Sequence, residues 1–206
     1  MTLIKWRTTK IPEFYFNEIE SILNSNQMYV SVSDFIRKAI EEKLSRNQNK
    51  DFLIIKDLIF TESRINQIHN IICEKFRVDS KEILKENINK IIEESLDIDM
   101  ISFLSKFAYN FAKYHPFEDA NKRTLLVTID SFLRLNSKKL KLEAKKNKET
   151  EEEIFFWQNS TQQKNLDEIK KFIETHLNKH ISSNNIEEEI NNSIEDNNLM
   201  LEKLSR

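Results

Sequence analysis

Glycine is absent from this chain, and proline occurs only at Pro12 and Pro116. Without glycine, turns that need a positive φ must use Asn, Asp or Ser. So few breakers across long periodic stretches predict a mainly α chain. The single cysteine, Cys73, excludes an intrachain disulfide and a cysteine-based zinc site. It reads as a small buried apolar residue. No run approaches the roughly 18 apolar residues of a membrane span, and the first residues lack the apolar core of a signal peptide. A cytoplasmic protein with no membrane partner is therefore expected. Excess charge of one sign is also missing. Lys+Arg 32 against Asp+Glu 34 leaves no chain-wide field for nucleic acid.

What charge there is lies unevenly. The first twelve residues hold Lys5, Arg7 and Lys10 and no acid, whereas residues 182–206 are acidic and rich in Asn. Hydrophobic content of 39% with 14 Phe is enough for a packed core.

Trp6 to Ile11 is partly β-branched and ends at Pro12, which predicts a strand that proline stops. Helical spacing follows from Glu13 to about Asn24. A second helix is predicted from Asp34 to about Arg46, with Ser33 as its N-cap. One strand and two short helices make a thin core, so a dimer with paired strands is the sensible arrangement. Thr8-Thr9-Lys10-Ile11-Pro12 and Tyr29 to Ile40 resemble the ribbon-helix-helix family of DNA-binding domains. The resemblance implies a homodimer whose ribbon enters the major groove of an operator. In that arrangement Lys10 and Thr8 would read bases, Lys5 and Arg7 would bind phosphate, and the backbone near Ser31 and Ser33 would hold another phosphate. The other reading is that these cations only solubilise a dimerisation arm. Residues 1–48 form this expected domain, and residues 46–50 are a polar linker.

The middle of the chain is helical by spacing. Thr61 is a predicted N-cap for a helix to about Phe76, which carries His69 beside its apolar stripe as a packed histidine. Ser80 is predicted to cap another helix. Asp99 to Tyr114 is a strong amphipathic helix, and Leu125 to Leu135 is a buried one. Between those two stand the ten residues His115 to Thr124, with an imidazole, two carboxylates, a carboxamide and two cations. That set suits a nucleotide: a base, a metal ligand and donors for phosphate oxygens.

His115-Pro116-Phe117-Glu118-Asp119-Ala120-Asn121-Lys122-Arg123 resembles the Fic/Doc pattern His-x-Phe-x-Asp/Glu-Gly/Ala-Asn-x-Arg. The similarity runs from about Thr61 to Leu177. Lys122 leans towards the Doc (death-on-curing) toxin branch, since Fic adenylyltransferases usually have glycine there. The resemblance implies that His115 is the general base for a target hydroxyl. Phe117 would anchor the loop and Asp119 would hold Mg²⁺. Asn121, Lys122 and Arg123 would bind the phosphates of ATP. It implies a protein phosphotransferase acting on a Ser/Thr hydroxyl of a target protein, with elongation factor Tu as the family's suggestion. Two alternatives stay open: Fic-type adenylylation (AMPylation), and a transcriptional regulator whose Fic-like domain only senses nucleotide.

The fold expected is thus mainly α, an N-terminal ribbon-helix-helix followed by an all-helical Fic/Doc-like domain over residues 51–181. A short strand is expected near Lys139 to Leu142, and a closing helix from Asp167 to Leu177. His176 and His180, four apart, are read as helix-end histidines rather than metal ligands. Residues 182–206 are expected to be a tail, either disordered or a weak amphipathic helix. Ser183-x-x-x-Glu187 matches only part of the inhibitory motif of some Fic proteins, so no autoinhibition is carried over.

Overall fold

The computed structural model describes residues 56–79, 86–97 and 99–205, together with residues 16, 19, 20, 23, 31–33, 35, 36 and 39. Lys5, Arg7, Thr8 and Lys10 lie outside the described residues, as does the expected strand. The backbone divides into two compact units, Met1–Gln48 and Asn49–Arg206. In the first unit, residues 16, 19, 20 and 23 are helical. So are 32, 33, 35, 36 and 39. Phe35 N donates to Ser31 O at 2.9 Å. Ser33, expected as a cap, therefore stands inside the helix. Ser-x-Ser-Asp offers several cap candidates, and composition alone does not choose among them.

The second unit is mainly helical with one small sheet. Its elements are α1 Glu62–Phe76, α2 Glu86–Glu94, α3 Met100–Tyr114, α4 Asn121–Leu135, β1 Lys138–Leu140, α5 Glu151–Ser160, α6 Leu166–His176, β2 Leu177–Lys179, α7 Ile186–Asp196 and α8 Asn198–Lys203. Local chemistry sets the starts. Thr61 Oγ1 accepts from Arg64 N at 3.2 Å, and Asp99 accepts from Ser102 N at 2.8 Å. Asn165 and Glu168 form a reciprocal capping box at the start of α6.

Helices α3 and α4 are the middle of the unit. Helix α3 packs against α2, α5 and α6, and α4 packs against α1 and α7. At their contact Phe60 stands edge-on to Phe103, Phe107 and Phe132, with centroids 4.7, 4.6 and 5.1 Å away. These are favoured aromatic geometries. The expected strand appears as β1, which pairs antiparallel with β2 in the register Lys138↔Lys179, Lys139↔Asn178 and Leu140↔Leu177. The unit is mainly helical as expected, and this small sheet adds one detail: Leu177 begins a strand instead of ending a helix.

Positive φ also falls on unexpected residues. Arg77, His115, Ala120, Ser137, Gln162 and Asn184 all have φ between 41° and 60°. Only Ser137 and Asn184 are of the types anticipated. Neighbouring packing holds the others in place at a local cost of about 1–2 kcal/mol each.

Residues 182–205 take the helical of the two expected alternatives and bury more than a weak helix would. They form α7 and α8, and Ile190, Ile194, Met200, Leu201 and Leu204 are buried. The isoleucines at helical spacing meet α4, and most of the acids face outwards, while Glu189 is buried and accepts from Ser183 N and pairs with His180. Asp130 of α4 ties this region together. Its carboxylate accepts from Arg134 Nε (2.8 Å), Ser193 Oγ (2.8 Å), Asn197 Nδ2 (3.0 Å) and Leu140 N (2.7 Å). Replacing Ile190 with Ala should therefore cost about 2–5 kcal/mol, as for other fully buried aliphatic residues. Urea unfolding would read this as a lower midpoint. An unchanged midpoint would show that α7 is not part of the cooperative core.

Candidate functional site

The residues of the motif divide between a loop and a helix. Six residues, His115 to Ala120, form the loop, while Asn121 to Thr124 are the first turn of α4. The two helices are thus closer in sequence than the expected ten-residue connection. His115 is the last cap of α3, in the left-handed region at φ 41° and ψ 69°, and its backbone N–H donates to Phe111 O at 3.1 Å. That geometry turns its imidazole outwards, where it is exposed. Glu118 is exposed too. Phe117 turns into the core, 6.2 Å from the Phe111 ring.

Two short-range hydrogen bonds close the loop. Asn121 Oδ1 accepts from Phe117 N at 3.0 Å, and Asn121 Nδ2 donates back to Phe117 O. The carboxamide read from sequence as a phosphate ligand is therefore engaged with the loop backbone. Asp119 has a 61% exposed side chain and accepts from the N–H of Ala120. It also lies 3.8 Å from Arg123 Nη2.

The start of α4 has an unusual charge pattern. Ala120 occupies the N-cap at φ 60° and offers no side-chain acceptor, and no acid stands in the first turn. Instead the turn carries Lys122 and Arg123. Unsatisfied N–H groups and the positive end of the helix dipole normally attract anions and disfavour cations. Arg123 is 1% exposed, and its guanidinium lies 5.1 Å from the Phe76 ring centroid. Its Nε and Nη1 are buried with no hydrogen-bond partner. Burial lowers its pKa, while Asp119 raises it. Lys122 is half-buried, with Nζ 3.2 Å from the Trp157 ring centroid. Burial also lowers the Lys122 pKa, opposed by Asp119 and aided by Arg123. Beside His115 a shallow apolar pocket is lined by Phe111, Asn121, Lys122, Phe156 and Asn159.

Sequence reasoning gave His69 a packing role only. In the structure its ring lies flat on Phe117, with centroids 3.6 Å apart and planes 4° from parallel. Nδ1 is 3.1 Å from Thr124 Oγ1, and Nε2 is 3.4 Å from Cys73 Sγ. The one legible signal was a histidine at the edge of an apolar stripe.

The other candidates do not gather here. His176 bonds Phe172 O through Nδ1, and His180 Nε2 bonds Glu189. Glu187 pairs with Arg64 and Gln67 on α1, not with Lys122 or Arg123. Among the described residues no group of three or more His, Cys, Asp or Glu could hold a metal ion. None of their helices is long and apolar enough to cross a membrane. A closed protein cage for Mg²⁺ is thus missing among them. Asp119, exposed beside Lys122 and Arg123, fits the usual case in which Mg²⁺ is shared between one or two carboxylates and substrate phosphates.

The family model described as the Fic/DOC family matches residues 59–133, which run from just before α1 to near the end of α4. No curated protein and no solved structure matches the chain. Similarity of that stretch to the Fic/DOC family implies nucleotide-dependent transferase activity in general.

Two predictions follow from this geometry. Burial first, then Arg123, holds the His69 pKa at about 4, below the ordinary 6.5, although Asp119 pulls upwards. Between those values the unfolded chain binds a proton that the folded chain refuses. Stability is then unaffected above about pH 6.5 and falls as the pH drops towards 4. Urea unfolding at pH 7 and pH 5 would show a loss that His69→Phe abolishes; an equal loss in the variant would assign it to other groups. At the cap, Ala120→Gly should relieve up to about 1 kcal/mol of left-handed strain. A lower melting temperature in that variant would show that the buried methyl matters more than φ.

Proposed function

We propose, from the Fic/DOC-like stretch and the charge pattern at the start of α4, that the chain transfers the γ-phosphoryl group of ATP to a Ser/Thr hydroxyl of a protein. One observation supports this above the rest. An uncapped helix start carries two cations, and the buried Arg123 has unpartnered Nε and Nη1. Each of these features is costly without an anion and favourable with one.

In this reading Arg123, Lys122 and the backbone N–H groups of the first turn hold the phosphates. Asp119 would hold Mg²⁺, which neutralises charge on the phosphates when bound. His115, exposed at the mouth, accepts the proton of the target hydroxyl. The hydroxyl oxygen forms a bond to the γ-phosphorus as the bond to the β-phosphate oxygen breaks, and ADP leaves. Asn121 keeps the loop in shape through Phe117. The charge and bulk of Lys122, where adenylyltransferases usually have glycine, favour γ- over α-phosphate transfer.

Incubation with γ-labelled and α-labelled ATP and a cell extract tests the choice. Label from the γ-position only is expected, and His115→Ala should abolish it. Label from the α-position only would replace phosphorylation with adenylylation. No label from either, with ATP still bound, would leave nucleotide sensing by a regulator. Elongation factor Tu is the first target to try.

Phosphates should also draw Lys122 away from Trp157. In a Trp6→Phe background, adding ATP with Mg²⁺ should change Trp157 emission, and Lys122→Ala should remove the response. Emission indifferent to ATP would count against this placement of the phosphates.

For residues 1–48 we propose a dimeric ribbon-helix-helix bound to operator DNA and acting as an autoregulatory, toxin–antitoxin-like module. The support is sequence: Lys5, Arg7 and Lys10 in an acid-free arm, and the match around Ser31 to Ile40. Retarded migration of the chain's own promoter at low salt is expected. Unaltered mobility would reject DNA binding.

A further inference from the structure

We infer that His69 is a positioning residue that clamps the 115–124 segment from beneath at two points. Its ring covers Phe117 in the loop, and its Nδ1 meets Thr124 in the first turn of α4. Between those points lie Asp119, Lys122 and Arg123. A shift of the ring therefore moves the loop and the helix start together.

Several observations separate this from simple space-filling. The ring is 3% exposed, and burying an imidazole costs more than burying a phenyl ring of similar size. Both ring nitrogens are engaged, one by Thr124 Oγ1 and one by Cys73 Sγ. Thr124 is fully buried on α4, and Thr128 Oγ1 donates to its carbonyl at 2.7 Å. The Thr124 hydroxyl reaches across to α1 for His69. His69 and Cys73 lie one turn apart on α1, so the clamp is built on a rigid element. The charged groups that bear on His69 are Asp119 and Arg123, both carried by the segment it holds. With them as neighbours, the clamp and the charges of the site share one local geometry.

Two substitutions take the clamp apart one contact at a time. His69→Phe keeps a flat ring on Phe117 and loses the Thr124 bond. His69→Asn keeps a hydrogen-bonding group near the Nδ1 position and loses the stack. The primary readout is the ring carbon–proton signal of His115 across a pH titration, by NMR on the full chain. It needs no activity, so it is independent of the transferase reading. The expected result is a displaced His115 signal and titration midpoint in both variants. Thr124→Val, made from the far side of the same bond, should displace the same signal as His69→Phe.

The kinetic arm rests on the transferase reading. There, turnover should fall roughly 10- to 100-fold, as for other small misplacements of reacting groups, while KM for ATP moves less. Melting temperatures that drop in both His69 variants, with the His115 titration and turnover of the unaltered chain, would reduce His69 to core packing and overturn the clamp. A His115 signal moved by His69→Phe but not by Thr124→Val would also overturn it. If the unaltered chain transfers nothing, the transferase reading fails and the NMR comparison still decides the clamp.

Discussion

Helix α4 is buried around most of its circumference, and this constraint shapes the rest of the second unit. From Arg123 to Arg134 each of its residues is buried. Such a helix cannot turn a polar face to water, so its polar groups must be met by protein. Asp130 is met by Arg134, Ser193, Asn197 and the Leu140 N–H. Arg134 is met by Asp130 and Asp196. Thr124 meets His69. These obligations explain why α7 and β1 close over α4. Removing one member of the Asp130 group would leave another charge buried without its partner, which costs far more than the loss of an exposed ion pair.

Two side chains on this helix are exceptions: the buried Ser131 hydroxyl, which has no partner, and Arg123, the one charged group among them, at the first turn. Arg123 keeps two buried nitrogens without acceptors, and no side chain caps the helix start. A helix whose other charges are so fully answered makes that gap specific. It lies at the helix start that follows His115 and Asp119 in the chain and carries Lys122, the end to which the proposed function assigns the phosphates.

Much of this was legible in the sequence. The spacing of Phe103, Leu104, Phe107, Ala108 and Phe111 gave α3, and Thr61 and the apolar stripe behind it gave α1. The motif at 115–123 was legible because it is contiguous and rich in unlike chemistry. What was not legible depends on tertiary contact. Ile190 and Ile194 look weak among acids and asparagines until α4 is there to cover them. Ala120 and Gln162 take left-handed φ against their own preference because their neighbours leave no other path. The role of Asn121 in closing the loop follows from a backbone turn that residue types alone do not specify. His69 meets Thr124 across 55 residues of chain, a pairing invisible to local periodicity.

The packing of α7 against α4 also bears on the order in which the chain becomes competent. Residues 115–124 leave the ribosome before Ser193, Asp196 and Asn197 have been added. Until those arrive, Asp130 and Arg134 lack their outside partners, and the apolar flank of α4 lacks Ile190 and Ile194. Domains fold as units as synthesis proceeds from the N-terminus, so the C-terminal half of α4 gains its final partners late. A ribosome-bound chain stalled before α7 would carry every residue of the motif and still lack the outer partners of Asp130 and Arg134, further along the same helix. Completion of the helix that carries the motif's last residues is thus tied to residues far from it in sequence.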